Sequence, residues 1–153
     1  MQKQLRVAAY AVCVRDGQVL LARWVDRHLG IKQWTLPGGG TDHGEDPYDT
    51  VIREVDEETG YAVAPGVLLG VHSRIRQYER EPGDMVDSHG VRIVYEGRIT
   101  GGRLRNEIGG STDLAAWHPL EEVPALDRVD LVDVGLTMWR ERPADGRVRP
   151  AAG

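Results

Sequence analysis

The sequence holds a single cysteine, no phenylalanine and only two lysines, Lys3 and Lys32. One cysteine excludes an intramolecular disulfide and a multi-cysteine zinc site. Cys13 falls in an apolar run, so a buried, inert thiol is expected there. No apolar stretch approaches membrane-spanning length and none has the form of a signal peptide, which excludes a membrane partner and points to the cytoplasm. An excess of positive charge is also missing. The formal net charge is -5, with both signs spread along the chain. A stable nucleic-acid partner would require a basic surface. A small phosphorylated substrate held by a few arginines and a metal ion needs none. The near-absence of lysine reads as compositional bias of the genome.

What is present suffices for one domain. The 153 residues are 41% hydrophobic, ordinary for a globular chain with a core of its own. Leu5 to Arg15 reads as a buried strand, and Asp16-Gly17 before Gln18 to Arg23 is a hairpin signal. Asp26 to Gln33 reads as a loop, and Trp34 to Leu36 as a short strand that Pro37 and Gly38 to Gly40 end. A helix follows, with Asp46 as N-cap, Pro47 in the first position and Gly60 as its stop. Tyr48, Val51, Ile52 and Val55 share one helical face. Strands are expected over Val63 to Arg76 (Val67, Leu69 and Val71 alternating), His89 to Thr100 (Val91, Ile93, Tyr95) and Leu114 to His118. A polar loop is expected over Tyr78 to Ser88, and a second helix over Asp127 to Glu141. The pattern predicts one α/β (α+β) domain over residues 1–142, with a mixed β-sheet packed between helices, and a flexible tail over 143–153.

Within that first helix, Glu54, Glu57 and Glu58 occupy one arc at the edge of the apolar face. Like charges three and four residues apart repel, so the arc is expected to surround something positive. Hard carboxylate oxygens suit Mg²⁺ or Mn²⁺.

The full spacing is G-x5-E-x7-R-E-U-x-E-E-x-G-U with U aliphatic, carried by Gly39, Glu45, Arg53, Glu54, Val55, Glu57, Glu58, Gly60 and, as an aromatic departure, Tyr61. It resembles the signature of the Nudix hydrolases, and the flanking strands and helices follow that family's order. The resemblance implies a Nudix-like α/β/α sandwich and metal-dependent hydrolysis of a pyrophosphate bond in a nucleoside diphosphate linked to another moiety. Nucleoside triphosphates, dinucleoside polyphosphates, nucleotide sugars and ADP-ribose-like molecules all remain open as substrates. It implies Glu57 and Glu58 as metal ligands with a carbonyl of Gly38 or Gly39. Glu54 would be a further ligand or the general base, and Arg53 would orient a catalytic glutamate. Glu45 would support the loop or sit near a second metal. A homodimer is compatible with the family. The alternative is a nucleotide-binding sensor that does not hydrolyse.

Outside the box, Glu107 and Asp113 are candidates for an extra carboxylate from a later loop. Arg23, Arg74 and Arg76 are candidate phosphate contacts, since an arginine fork matches phosphate oxygens. Trp24 can stack on a base, and Tyr78 stands where family members acting on dinucleoside polyphosphates often carry a tyrosine.

Overall fold

In the computed structural model, which describes residues 1–149, the apolar N-terminal run becomes strand β1 (Gln2–Val12), buried on both faces over its second half. Alternation sends its side chains two ways. Ala8, Tyr10 and Val12 join a core with Leu36, Leu131, Val132, Leu136 and Met138. Ala9 and Ala11, with Cys13 just beyond, join a second core with Leu20, Val51, Val55 and Val63. A strand covered on both sides has no polar alternation, which explains the unbroken apolar run.

The other elements are β2 (Val14–Arg15), β3 (Gln18–Asp26), β4 (Ile31–Thr35), β5 (Gly38–Gly40), α1 (Pro47–Thr59), β6 (Tyr61–Glu81), β7 (Asp84–Gly102), β8 (Thr112–Pro119), a 3-10 segment (Leu120–Ala125) and α2 (Asp130–Glu141). One sheet runs β5-β1-β7-β6, with β1 and β7 parallel and the other pairs antiparallel. In the second sheet β3 pairs with β2, β4 and β8. Helix α1 packs on one core through Val51 and Val55, and α2 on the other through Leu131, Val132 and Leu136. The expected mixed sheet between helices is therefore present. Asp16 and Gly17 both have positive φ in the β2–β3 turn, as a type I′ hairpin requires.

Several expectations shift. The polar stretch from Tyr78 to Ser88 is not a loop: β6 and β7 continue through it to a tight turn at Pro82-Gly83. Pairing of β7 with β1 as far as Gln2 supports these arms, a long-range contact invisible in local pattern. The loop from Asp26 narrows to residues 27–30, because Ile31 to Gln33 pair with β3. Register shifts around Leu68 leave Leu69 buried and Val67 and Val71 exposed. On β7 Val86 and Val94 are fully buried, while Val91, Ile93 and Tyr95 are half-buried. On α1, Tyr48 and Ile52 lie at the exposed edge, and the buried stripe turns to Thr50, Val51, Val55, Glu58 and Thr59. Beyond α2, the Gly146 carbonyl accepts a hydrogen bond from Val71 N at 3.0 Å and Val148 packs on the core. Residues 150–153 of the expected flexible tail lie outside the described residues.

Candidate active site

Helix α1 places the box carboxylates, and its ends are built as its sequence implies. The Asp46 carboxylate accepts from Tyr48 N at 2.8 Å, and Gly60 closes the helix in the left-handed region, its N–H bonded to Asp56 O. Strand β5 brings Gly38 and Gly39 against β1 and over the helix. Gly38 has φ 150, and a Cβ there would collide with the main chain of Ala9 and Tyr10. A Cβ on Gly39 would stand 2.8 Å from Glu54 Oε1. The absence of a side chain at Gly39 thus admits the Glu54 carboxylate against the β5 main chain.

Arg53 organises the acidic side chains. Its Nε and Nη2 donate to the two oxygens of Glu45, each at 2.9 Å. Its Nη1 donates to Glu54 Oε1 at 3.0 Å and to Glu57 Oε2 at 3.4 Å, and Nη2 also reaches Gly40 O at 3.1 Å. Glu45 accepts further from Thr50 Oγ1 at 2.7 Å and Asp42 N. Hydrogen bonds from Arg53 and Thr50 lower its carboxyl to about 2. Both Glu45 oxygens are therefore engaged, which makes it a support of the loop. Arg53 bridges the loop to the helix.

Glu58 is 1% exposed. Burial, then the neighbouring Glu54 carboxyl and the charge of Glu107, push its carboxyl well above the usual range; the Gly38 N–H opposes this only in part. Its Oε2 is buried without a hydrogen-bond partner. Glu54 and Glu58, with Gly38 to Gly40, line one end of an open cleft of about 500 Å³. Glu57 lies outside that lining, half-exposed beside Arg53.

These residues fit a hard divalent cation. An orphaned carboxylate oxygen in a buried acidic pair has the chemistry of a ligand awaiting a charge. No three acidic, imidazole or thiol side chains converge into a closed cage among the described residues. Mg²⁺ needs none, since it keeps several waters and takes one or two carboxylates.

Of the substrate candidates, Trp24, Arg74, Arg76 and Tyr78 line the same cleft. Arg23 does not. It forms a two-pronged pair with Asp113, both contacts at 2.9 Å, and Lys32 lies 3.2 Å from the same carboxylate. This corrects two expectations together: Arg23 is not a free phosphate contact, and Asp113 is not a free carboxylate. The β3–β8 register shifts between Arg23 and Trp24, so the two neighbours part company there. The Glu107 Oε1 accepts from Thr112 N and Oγ1 at 3.1 and 2.8 Å.

Arg6 and Arg92 also line the cleft. Arg6 lies in the strand expected from Leu5, and the face it takes there brings it to the cleft. Its even-numbered alternation with Ala8 and Tyr10 was the available signal. Tyr61, the aromatic departure, packs edge-on against Trp117 and accepts from its Nε1 at 3.0 Å, so it fills the aliphatic position with a satisfied polar tip. No helix among the described residues is long and apolar enough to cross a membrane.

Comparison with known proteins agrees with this geometry. The family model for the NUDIX domain matches residues 3–139. An RNA pyrophosphohydrolase of Acidiphilium cryptum (strain JF-5) is 41% identical over 129 residues, covering 76% of this chain and 76% of that protein. A MutT NUDIX hydrolase structure from Burkholderia pseudomallei matches with a TM-score of 0.69 and 29% identity, covering 88% of this chain and 98% of the other. A NUDIX hydrolase structure from Nitrosomonas europaea matches in fold, with a TM-score of 0.71, 23% identity and 90% coverage of each chain. The chain spans only 49%, 36% and 54% of three further curated relatives, two from Bacillus subtilis (strain 168) and one from Caenorhabditis elegans. With the signature's glycines, arginine and glutamates in place and the NUDIX domain model matched over residues 3–139, the chain belongs to the NUDIX family.

Proposed function

We propose that the chain hydrolyses a pyrophosphate bond in a nucleoside diphosphate linked to another moiety, with Mg²⁺ or Mn²⁺ held by Glu54 and Glu58 and main-chain oxygen of Gly38 or Gly39. The observation that carries this reading is the partnerless Glu58 Oε2 beside Glu54 at the glycine end of an arginine-lined cleft. Such an ion, when bound, neutralises phosphate oxygens and acidifies water.

The protein's own groups do the rest. Arginines on the cleft floor hold the phosphates and set the anhydride against the glutamates. Arg53 fixes one edge of Glu54 through Oε1, leaving Oε2 to take the proton of the attacking water. The water oxygen bonds to phosphorus, the bridging P–O bond breaks, and the leaving phosphate carries the electron pair away. Trp24 offers a stacking face for the base. Glu57, half-exposed on the same helix outside the cleft lining, adds a second acidic partner to Arg53 Nη1 beside Glu54.

The test is a panel of nucleoside triphosphates, nucleotide sugars, ADP-ribose and dinucleoside polyphosphates assayed with Mg²⁺ and with chelator. Turnover of at least one class is expected, falling more than ~10³-fold on chelation and returning with Mg²⁺ or Mn²⁺. Added Mg²⁺ at a hundredfold excess over Kd should also stabilise the fold by about 2.7 kcal/mol. Absence of turnover across the panel with metal bound would overturn the reading.

A further inference from the structure

Beyond the glutamate end, the cleft floor is a small stretch of sheet with an ordered set of cations. Strand pairing puts Arg6, Gly90 and Arg74 side by side across β1, β7 and β6. One rung outward stand Gln4, Ser88 and Arg76. Arg92 lies one rung inward, beside Ala8. Strands are about 4.8 Å apart and alternate residues about 7 Å apart. Arg6 and Arg74 therefore flank a groove roughly 10 Å wide whose floor, Gly90, has no side chain. A Cβ on Gly90 would meet nothing nearer than Arg74 O at 3.7 Å, so the space above it is open.

The charges here are unbalanced. About half of the arginines pair with carboxylates among the described residues, such as Arg53 with Glu45, Arg80 with Asp84 and Arg128 with Asp133. Asp130 serves both Arg74 and Arg92, at 3.3 and 3.2 Å. Arg6 and Arg76, like Arg15, Arg27, Arg98, Arg103, Arg140 and Arg147, pair with no acidic side chain among the described residues, and of these only Arg6 and Arg76 line the cleft. Arg92 is 8% exposed, yet its Nε has no partner. The Arg76 guanidinium lies 5.0 Å over the Tyr78 ring, and the Tyr78 hydroxyl donates to Gln4 Oε1, which holds that ring at the rim. Four guanidinium groups line one cleft with Glu54 and Glu58, and Asp130 is the one carboxylate paired with any of the four, an arrangement that calls for a multivalent anion beside the metal-binding carboxylates.

We propose that Arg6 and Arg76, on the two sides of the β7 floor at Gly90 and Ser88, bind a phosphate beyond the anhydride that is cut, so the chain prefers nucleotides bearing a linear run of three or more phosphates to diphosphates capped by an uncharged sugar. This rests on the hydrolytic reading above and narrows its substrate class. The chemistry recognised is the oligophosphate; its carrier can be a free nucleoside or the 5′ end of an oligonucleotide.

The experiment compares a nucleoside triphosphate, a 5′-triphosphorylated oligoribonucleotide and a nucleoside diphosphate sugar, with Mg²⁺, for the parent protein and for Arg6→Gln, Arg76→Gln and Gly90→Val. The parent should favour a triphosphate by at least about tenfold in kcat/KM, and the better carrier identifies the source. Each variant should raise KM for the triphosphate relative to that for the sugar conjugate on the order of tenfold, as expected for loss of a charged hydrogen bond. Arg6→Lys should recover part of the loss. Preference for the sugar conjugate, or equal KM changes on both substrates, overturns the proposal. If nothing is turned over, the hydrolytic reading fails separately, and calorimetry with inorganic tripolyphosphate decides the groove. Binding that weakens about tenfold in Arg6→Gln and Arg76→Gln upholds it, and no binding to the folded parent protein overturns it.

Discussion

Glu58→Gln is expected to lower kcat by about three orders of magnitude at saturating Mg²⁺ while raising the melting temperature of the metal-free protein. Loss of a charged ligand removes several kcal/mol of transition-state stabilisation, and each 1.4 kcal/mol is tenfold in rate. The stability effect has the opposite sign for a physical reason. The side chain is buried, one oxygen has no partner, and Glu54 faces it. The folded carboxyl is pushed well above its ordinary value of 4.5. Above that ordinary value the unfolded chain has released the proton and the folded chain retains it, so the group opposes folding increasingly as pH rises toward the folded value. Gln has the same shape without that proton uptake. A gain of about 1 kcal/mol corresponds to roughly 2–4 °C in a chain of this size. Melting curves in chelator from pH 4 to 8 should show the parent and variant diverging as pH rises. Retained turnover, or a variant that melts well below the parent, contradicts the assignment.

Arg53→Lys should lower kcat about a hundredfold and melting temperature by roughly 4–8 °C, or about 2 kcal/mol. The arginine fork reaches four groups at once: Glu45 through both oxygens, Glu54, Glu57 and the Gly40 carbonyl. A lysine keeps the charge but has one ammonium, which can serve one or two of them. Glu54 then loses its fixed edge and the glycine loop its tie to the helix. The Glu45→Gln change combined with Arg53→Lys should cost less than the sum of the two, because both act on one cluster. Strict additivity, or full kcat in the lysine variant, removes Arg53 from the positioning role.

The parts of the site that were readable in sequence are those held by local chemistry. Asp46, Pro47 and Gly60 bound α1 because caps act within a turn of their own position. Helical geometry puts Glu54, Glu57 and Glu58 on one arc, and of the three Glu54 and Glu58 line the cleft while Glu57 stays half-exposed outside it. What escaped depends on partners far along the chain. Arg23 looked like a free cation until β8 brought Asp113 beside it, ninety positions away. Arg74, Arg76 and Tyr78 straddle what looked like a strand giving way to a loop, because only pairing of β7 with β1 shows that the sheet continues. The same pairing places Arg6 on the cleft floor. The bond-breaking end is thus written in one helix, and the substrate-holding end in contacts between three strands.

The doubly covered end of β1 also makes the sole thiol a reporter of unfolding. Cys13 is buried among Ala9, Val51 and Val63, and desolvation lifts its thiol to about 12. Alkylating reagents act on thiolate, which this position scarcely supplies while it is folded. Modification must then proceed through opening of the sandwich, so the rate at which one reagent marks one residue counts how often the whole fold comes apart.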